Sequence, residues 1–235
     1  MTIALLIFFL FRLNVIGFDP LLLKNADRPM LEESLSLGTQ FLLNHQKKEG
    51  NFDYMYDWLN KKFAPDDNEV RQAGALWGLA LLNLYSPTPQ LTEGVKKGLA
   101  FFKAHSIVNE ARFRFIKYNP SGSGSTGTVA LTALAITEFL RTQGTGLTEE
   151  EKADYKIQLD QYINFLAQAR DPQDLWYSSY DTGTGKPFGS HSPYFDGESL
   201  LALIKAARYM DRTDLKDIII ESARAGYKTN ITLCS

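Results

Sequence analysis

The sequence repeats itself at an interval of about sixty-two residues, and this repeat limits the folds that the chain can form. Tyr56, Tyr118 and Tyr180 mark the repeat, because they are evenly spaced along the chain. Around each tyrosine the order of segments is the same: an apolar helical segment, a polar break, an aromatic-rich extended stretch, a polar loop and a second apolar helical segment. A unit of this kind cannot bury its apolar face alone, so neighbouring units must stack. The repeats cover approximately 30–86, 91–142 and 148–211, and a fourth starts at 213–235.

Apolar periodicity predicts two helices in each repeat. In the first repeat, apolar residues recur at helical spacing from Val70 to Leu84 and small residues fill much of the remaining surface, which indicates a buried helix. In the third repeat, the first helix places Tyr155, Leu159 and Tyr162 on one face and charged residues on the other. Each repeat is therefore predicted to be an αα-hairpin with a buried inner helix and a half-exposed outer helix. Such hairpins predict an all-α fold, an α/α toroid that is incomplete or open because a closed ring of six hairpins needs more repeats.

The composition excludes several classes of protein. A chain of 235 residues, 44% of them hydrophobic, is long enough for one sizeable core. The net charge of −2 and the absence of a long basic run argue against nucleic acid as a partner. The single cysteine, Cys234, and the scattered histidines have no metal-ligand spacing, so we expect neither a metal nor another cofactor.

The N-terminal segment has a composition of its own. Ile3–Phe11 is an uninterrupted apolar run that ends at Arg12. It is shorter than the roughly 20 residues of a transmembrane helix, but it has the length of the hydrophobic part of a secretory signal. We therefore expect residues 1–18 to be a signal-like or anchor segment and residues 19–235 to be a single α/α-toroid-like domain. This predicts an exported or membrane-anchored protein; a buried N-terminal helix is the alternative.

One short segment resembles a known repeat. Gly38–Phe52 is similar to the QW-type repeat of terpenoid cyclases and protein prenyltransferases, with the matching positions Gly38, Phe41, Leu42, Gln46, Gly50 and Phe52. The inner-helix segments 70–82 and 194–209 resemble helices of six-hairpin glycosidase-like and sugar-epimerase toroids. These resemblances imply an α/α toroid, but they imply no single activity because one fold carries many functions. The DxDD acid motif of the cyclases is absent from this sequence.

In a toroid of this type, the loops that lead into the inner helices meet at one end, and here they carry acids and aromatic residues. Two carboxylates can act as the acid and the base on a glycosidic bond, and the predicted catalytic residues are Glu198, Asp196 and Glu69. We place Glu69 and Glu198 at equivalent positions of their repeats. Aromatic rings stack on sugar rings, and arginine can bind a carboxylate through two hydrogen bonds. The predicted substrate-binding residues are Tyr54, Tyr56, Arg71, Trp176, Tyr180, His191 and Tyr194.

The same residues also suit structural roles. Glu69 and Glu198 would be stabilised by the positive end of a helix dipole, and the repeated tyrosines would pack in the core. Asp66, Asp67 and Asp196 have the side chain of a helix N-cap. The segment Ser121–Gly127, SGSGSTG, leads into a helix as an anion-binding loop does, but it lacks the lysine of a phosphate-binding loop, so a flexible lid or linker is predicted.

Taken together, these patterns favour a protein that binds or acts on an oligosaccharide, with uronic-acid-containing sugars among the candidates. The chemistry would be that of a hydrolase, an epimerase or a lyase, and whether the protein is an enzyme stays open at this point. A non-catalytic helical-repeat binding scaffold is the first alternative. A terpenoid cyclase-like or prenyltransferase-like enzyme is the second.

Overall fold

The computed structural model describes residues 27–118 and 122–232, so the predicted signal or anchor segment 1–18 lies outside the described residues. The chain divides into two units, Met1–Gln40 and Phe41–Ser235. None of the helices in the described ranges combines the length and the apolar character that crossing a bilayer requires.

Helices make up most of the described residues. In chain order they are α1 (Arg28–Asn44), α2 (Glu69–Tyr85), α3 (Pro89–Ala104), α4 (Thr126–Arg141), α5 (Glu149–Gln168), α6 (Pro193–Tyr209) and α7 (Lys216–Tyr227), with short 3₁₀ and π segments at Thr213–Leu215 and Lys228–Thr232. Outer and inner helices alternate along the chain, as the repeat predicts. The all-α prediction is approximate, because short strands connect the helices.

Seven strands form three small antiparallel sheets within the described ranges. The strands are β1 (Tyr56–Asp57), β2 (Lys62–Phe63), β3 (Ser106–Val108), β4 (Arg114–Ile116), β5 (Ser123–Ser125), β6 (Tyr177–Asp181) and β7 (Pro187–His191). β1 pairs with β2 and β3 with β4, whereas β5, β6 and β7 form one sheet in that order. The sheet β5–β6–β7 joins the second repeat to the third, directly in front of the inner helix α4.

The core of the second unit is centred on α4, which packs between α2 and α6 and against α5. Every residue of α4 from Thr126 to Phe139 is buried. The helices α2 and α6 each pack against α4 on one side only, and Leu81 of α2 and Ile204 of α6 remain exposed. The inner helix α4 is therefore buried along nearly its whole length, as predicted, whereas α2 and α6 are only partly buried.

Two helix starts differ from the predicted caps. The N-cap of α2 is Asn68, whose side chain accepts a hydrogen bond from the backbone N–H of Arg71, rather than Asp66 or Asp67. The helix α6 starts at Pro193, a residue suited to the first helical position because it has no N–H to satisfy. Asp196 consequently lies inside the first turn and is not the N-cap.

The three repeats share one backbone arrangement, which fixes their register. The N–H groups of Asp53, Lys117 and Tyr177 each bond the carbonyl just after the end of the preceding outer helix, that of His45, His105 and Ala169 respectively. Along the chain, the interval from Asp53 to Lys117 is slightly longer than the interval from Lys117 to Tyr177. Tyr56 and Tyr180 are therefore equivalent, whereas Tyr118 corresponds to Tyr54, so the even spacing of the tyrosines does not reflect one repeated position.

The residue just before each of these positions has backbone groups that point away from the strand ladder, and a side chain bonds its N–H and, in the first two repeats, its carbonyl as well. These residues are Phe52, Ile116 and Trp176. The amide of Gln72 accepts from the N–H of Phe52 at 2.7 Å and donates to its carbonyl at 2.8 Å. We call a side chain in this role a clamp, because it ties the extended segment to the helical layer.

The clamp in the third repeat is Asp196, whose Oδ1 accepts from the N–H of Trp176 at 2.9 Å. Gln72 and Asp196 are both the fourth residue of their inner helix. The fourth residue of α4 is the apolar Val129, and there the hydroxyl of Tyr180 takes over, accepting from the N–H of Ile116 and donating to its carbonyl. Buried backbone groups must be paired, so the three repeats meet the same requirement with three different side chains.

Candidate active site

Two carboxylates converge on the N-terminus of the central helix α4. The strand β5 brings Ser125 to the start of this helix, and Thr126, Gly127 and Thr128 form its first turn. Thr126 is anchored by its hydroxyl, which donates to the carbonyl of Tyr177 at 2.6 Å. The first N–H groups of a helix have no partner within the helix and carry partial positive charge, so acidic groups are stabilised there.

Glu69, the first residue of α2, reaches this turn from one side. Its Oε1 accepts a hydrogen bond from the backbone N–H of Ser125 at 2.6 Å. The hydroxyl of Thr128 lies close enough to lower the pKa of the carboxylate, but neither Oε2 of Glu69 nor Oγ1 of Thr128 has hydrogen-bond geometry to any described residue. Burial raises the pKa of Glu69, and the bond from Ser125 offsets part of the increase.

Glu198, from α6, reaches the same turn at Gly127. A Cβ atom placed on Gly127 would lie 2.8 Å from Oε2 of Glu198 and 2.5 Å from the ring of Phe195, so only glycine leaves room for both side chains. This Oε2 is buried and has no hydrogen-bond partner in the part of the chain that the structure describes. Burial alone raises the pKa of Glu198 to about 7. A group with this pKa can donate and accept a proton at neutral pH.

The two glutamates do not occupy equivalent positions, which corrects the prediction from the sequence. Glu69 is the first residue of α2 and Glu198 the sixth of α6. The fold nevertheless brings them to one place, because α2 and α6 pack on α4 from either side. Their meeting point is Ser125 and Gly127, at the start of α4.

Asp196 is buried and bonded on both oxygens, in addition to its role as a clamp. Its Oδ2 lies 3.6 Å from Nδ1 of His191, and the side-chain amide of Asn230 donates to the same oxygen at 3.4 Å. Burial raises the pKa of Asp196, while the bond from Trp176 acts in the opposite direction. These contacts give Asp196 a structural role: it holds the Trp176 segment and His191 in place.

This assignment predicts different effects for two substitutions of Asp196. Asp196→Ala leaves the buried N–H of Trp176 without a partner and should lower the free energy of unfolding by about 1–3 kcal/mol. Asp196→Asn keeps an oxygen acceptor, as in the Gln72 clamp, and should lower it by less than about 1 kcal/mol. Urea unfolding of both variants measures the difference. If Asn destabilises as much as Ala, the charge of Asp196 is what the fold needs and the clamp assignment fails.

The predicted substrate-binding residues divide into exposed and buried groups. The exposed Arg71 and the half-buried Tyr54 form a pair at the start of α2, with the guanidinium donating to the tyrosine hydroxyl at 3.0 Å. Tyr56 lies on the exposed β1–β2 hairpin, and Tyr194 is 81% exposed in the first turn of α6. His191 is partly buried beside Asp196.

Trp176 and Tyr180 belong to the core, which corrects the expectation that they stack on a ligand. Both side chains are fully buried, so neither ring has a face open to a sugar. The indole N–H of Trp176 donates to the carbonyl of Leu166 at 2.8 Å, and the hydroxyl of Tyr180 is used by its clamp. A surface groove of about 610 Å³, lined by residues that include Lys47 and Phe101, contains none of the predicted site residues.

Ser125 and Gly127 are parts of the site that the sequence pattern does not reveal. They lie in the SGSGSTG segment, for which a flexible lid or linker is predicted. Residues Ser123–Ser125 instead form the strand β5, paired with β6, and Gly127 is fixed in the first turn of α4. The anion-binding appearance of the segment has a structural basis, because the carboxylate of Glu69 accepts a hydrogen bond from Ser125, just before the helix N-terminus.

The second unit thus has the inner and outer helices of an αα-hairpin repeat fold, with two carboxylates, each with one buried oxygen, at the N-terminus of its central helix. No protein-family model matches the sequence, and no curated protein matches it. Solved structures do match, and they show the α/α-toroid-type fold.

One of these structures is a D-mannose isomerase, with a TM-score of 0.65 and 12% identity over 85% of this chain and 51% of that one. Another is the cellobiose 2-epimerase from Spirochaeta thermophila DSM 6192, with a TM-score of 0.62 and 17% identity over 88% of this chain and 56% of the epimerase. A family 10 polysaccharide lyase from Cellvibrio cellulosa, solved with a trigalacturonic acid ligand, has a TM-score of 0.55 and 12% identity over 83% of this chain and 66% of the lyase.

This chain therefore spans between about half and two thirds of the length of those proteins. At these identities the likeness establishes the fold alone. The resemblance to terpenoid cyclases receives no support from these structures.

Proposed function

We propose that the chain is a carbohydrate-acting enzyme, or a part of one, and that Glu198 is its general acid–base. The observation that carries this proposal is the pair of carboxylates at the start of α4, each with a buried oxygen that has no partner among the described residues. The α/α-toroid structures that match include a D-mannose isomerase, two sugar epimerases and a polysaccharide lyase, which makes a sugar the first substrate class to test.

Among the possible reactions, the site favours transfer of a proton at a sugar carbon. Glu198, with a pKa of about 7, can take a proton from a carbon next to a carbonyl group and return it. Epimerisation, isomerisation and elimination share this step. Retaining hydrolysis would need Glu69 to act as an ionised nucleophile, but Oε1 of Glu69 is already bonded to the N–H of Ser125.

The exposed residues around the site suggest how a sugar would be held. Arg71, paired with Tyr54, could bind the carboxylate of a uronic acid through two hydrogen bonds. Tyr194 presents an open ring in the same turn of α6 that precedes Glu198. Export or membrane anchoring, based on the apolar run Ile3–Phe11, is part of the proposal, and recovery of the full chain in the cytosolic fraction of its own cells would refute that part.

A ligand screen by thermal unfolding is the first test. The full chain is melted with mannose, with cellobiose, with trigalacturonic acid, and with prenyl diphosphates in the presence and absence of Mg²⁺. A ligand at a hundredfold excess over Kd stabilises the native state by about 2.7 kcal/mol, which for a chain of this length raises the Tm by about 5–10 °C. We expect this shift with at least one sugar and with no diphosphate.

The chemistry is tested in D₂O with the sugar that binds. Proton transfer at carbon gives deuterium incorporation into the recovered sugar by NMR, while hydrolysis gives new reducing ends without it. A sugar that binds but shows no reaction favours the non-catalytic scaffold, and a shift confined to diphosphates with Mg²⁺ refutes the carbohydrate proposal.

A further inference from the structure

The hairpin formed by β1 and β2 has two large, exposed apolar residues at its tip. Residues 58–61 form the turn between the two strands. Trp58 is 74% exposed and Leu59 is 71% exposed, and they are adjacent in this turn. Large apolar side chains grouped at one exposed place usually mark an interaction surface.

The turn is held rigid by hydrogen bonds, so the tip keeps its shape. Oδ1 of Asp57 accepts from the backbone N–H groups of Leu59 and Asn60, and Oδ2 accepts from the side chain of Asn60 at 2.6 Å. Lys61 has a φ of +51°, a region that asparagine and glycine occupy more readily than lysine. The backbone conformation therefore does not explain why this position holds a lysine.

The turn carries two lysines and one carboxylate, so residues 57–62 have a net charge of +1. Lys61 and Lys62 follow Trp58 and Leu59 directly, and no carboxylate of the described residues lies within ion-pair distance of either lysine. Asp57 is hydrogen-bonded within the turn and keeps its negative charge, because these bonds lower its pKa. Of the acids that follow the hairpin, Asp67 is bonded to Gln72 and Tyr118, while Asp66 is exposed.

The rings at the base of the hairpin do not form a flat platform for a sugar. Tyr56 packs edge-on against Phe63 with ring centroids 5.2 Å apart, and Phe63 packs edge-on against His45 at the same distance. The aliphatic Leu59 at the tip has no use in stacking on a sugar. Tryptophan prefers the interfacial region of a bilayer, and lysines extend to the lipid headgroups from there.

We propose that the tip of this hairpin, Trp58 and Leu59 with Lys61 and Lys62, docks on the surface of an anionic lipid bilayer. The two apolar side chains enter the interfacial region, and the lysines contact the acidic headgroups. This docking does not depend on the proposed sugar chemistry, and it differs from the tether predicted for residues 1–18 because it uses a folded hairpin.

The test follows the fluorescence of Trp58 in the full chain with vesicles of phosphatidylcholine, with or without phosphatidylserine, that contain spin-labelled acyl chains. The Trp58 signal is obtained by subtracting the emission of Trp58→Phe, since Trp176 is buried and Trp77 packs against the core. We expect a blue shift and quenching of Trp58 with the phosphatidylserine vesicles at low salt. Lys61→Gln and Lys62→Gln should each weaken this binding about fivefold.

Two variants separate the tip from other exposed apolar residues. Trp58→Ala/Leu59→Ala should abolish the hairpin-dependent part of vesicle binding, whereas Tyr85→Ala/Ile157→Ala, which removes an exposed aromatic and an exposed aliphatic residue elsewhere, should not change it. Because quenching reports on Trp58 itself, binding through the N-terminal segment cannot imitate the result. Vesicle-bound protein with unquenched Trp58 overturns the proposal, and so does a Trp58 shift that follows added oligosaccharide or the protein concentration instead of lipid.

Discussion

Replacing Glu198 with glutamine should lower the rate of proton transfer on the sugar that binds by about 10²–10⁴-fold, the usual contribution of a general acid–base. Glutamine has nearly the same shape, so it should still fit beside Gly127 and Phe195, and the ligand-induced shift in Tm should remain. The measurement is deuterium incorporation per unit time, together with the thermal shift, for the wild type and the variant. The matched control is Glu149→Gln, an exposed glutamate of α5, which should leave both quantities unchanged.

The pH dependence of stability checks that the carboxyl of Glu198 is buried as described. Its pKa is about 7 in the folded state and 4.5 as the ordinary value. Between these two pH values the folded chain holds this proton more tightly than the unfolded chain, so the free energy of unfolding falls as the pH rises, and the effect is complete above about pH 7. Glu198→Gln removes this contribution, and the variant should gain stability relative to the wild type at pH values above this window.

These two readouts distinguish a catalytic role from a structural one. Full turnover by Glu198→Gln, with the expected change in pH dependence, would mean that Glu198 is buried but takes no part in the reaction. Loss of both turnover and the cooperative melt would assign the residue to the fold. Only a loss of turnover in a protein that melts normally and still binds the sugar supports the proposed acid–base.

The helical layers could be predicted from the sequence because helix periodicity is a local signal. The apolar face of α5 is an example: Leu159 and Tyr162 are buried as the spacing predicts. The alternation of outer and inner helices follows from the same signal repeated along the chain. The partial exposure of α2 and α6 could not be predicted, because it depends on which helix lies between which neighbours.

The site was harder to predict because its parts come together through tertiary packing. Glu69 and Glu198 were recognised as candidates, but the reason given, equivalence in the repeat, was wrong. They meet because both α2 and α6 pack on α4. Ser125 and Gly127 were missed, since glycine and serine in a row read as a loop until the pairing of β5 with β6 is known.

Tyrosine at a repeated spacing was the most misleading signal. Tyr56 is exposed, Tyr118 is half-buried with its hydroxyl on Asp67, and Tyr180 is fully buried. A residue type that returns at a constant interval can thus occupy different environments when the repeats differ slightly in length. The hydrogen bonds of the backbone, rather than the tyrosines, define which positions are equivalent.

Substituting Tyr180 with phenylalanine should lower the free energy of unfolding by about 2–4 kcal/mol, because both backbone groups of Ile116 lose their partner in the core. The phenyl ring keeps the packing on Phe115 and Phe165, so the loss reports on the hydroxyl and not on a cavity. Urea unfolding, followed by far-ultraviolet circular dichroism, measures the change. Tyr56→Phe, at the equivalent but exposed position, is the control and should change stability by less than about 0.5 kcal/mol.

The result decides how the middle repeat is held. The clamps of the first and third repeats come from the fourth residue of their own inner helix, but in the middle repeat that residue is Val129 and the clamp comes from the next repeat. A large loss in Tyr180→Phe means that the second repeat depends on the third for its backbone pairing, so the two should unfold together. If Tyr180→Phe is as stable as Tyr56→Phe, the groups of Ile116 find another partner and the repeats are more independent than their hydrogen bonds indicate.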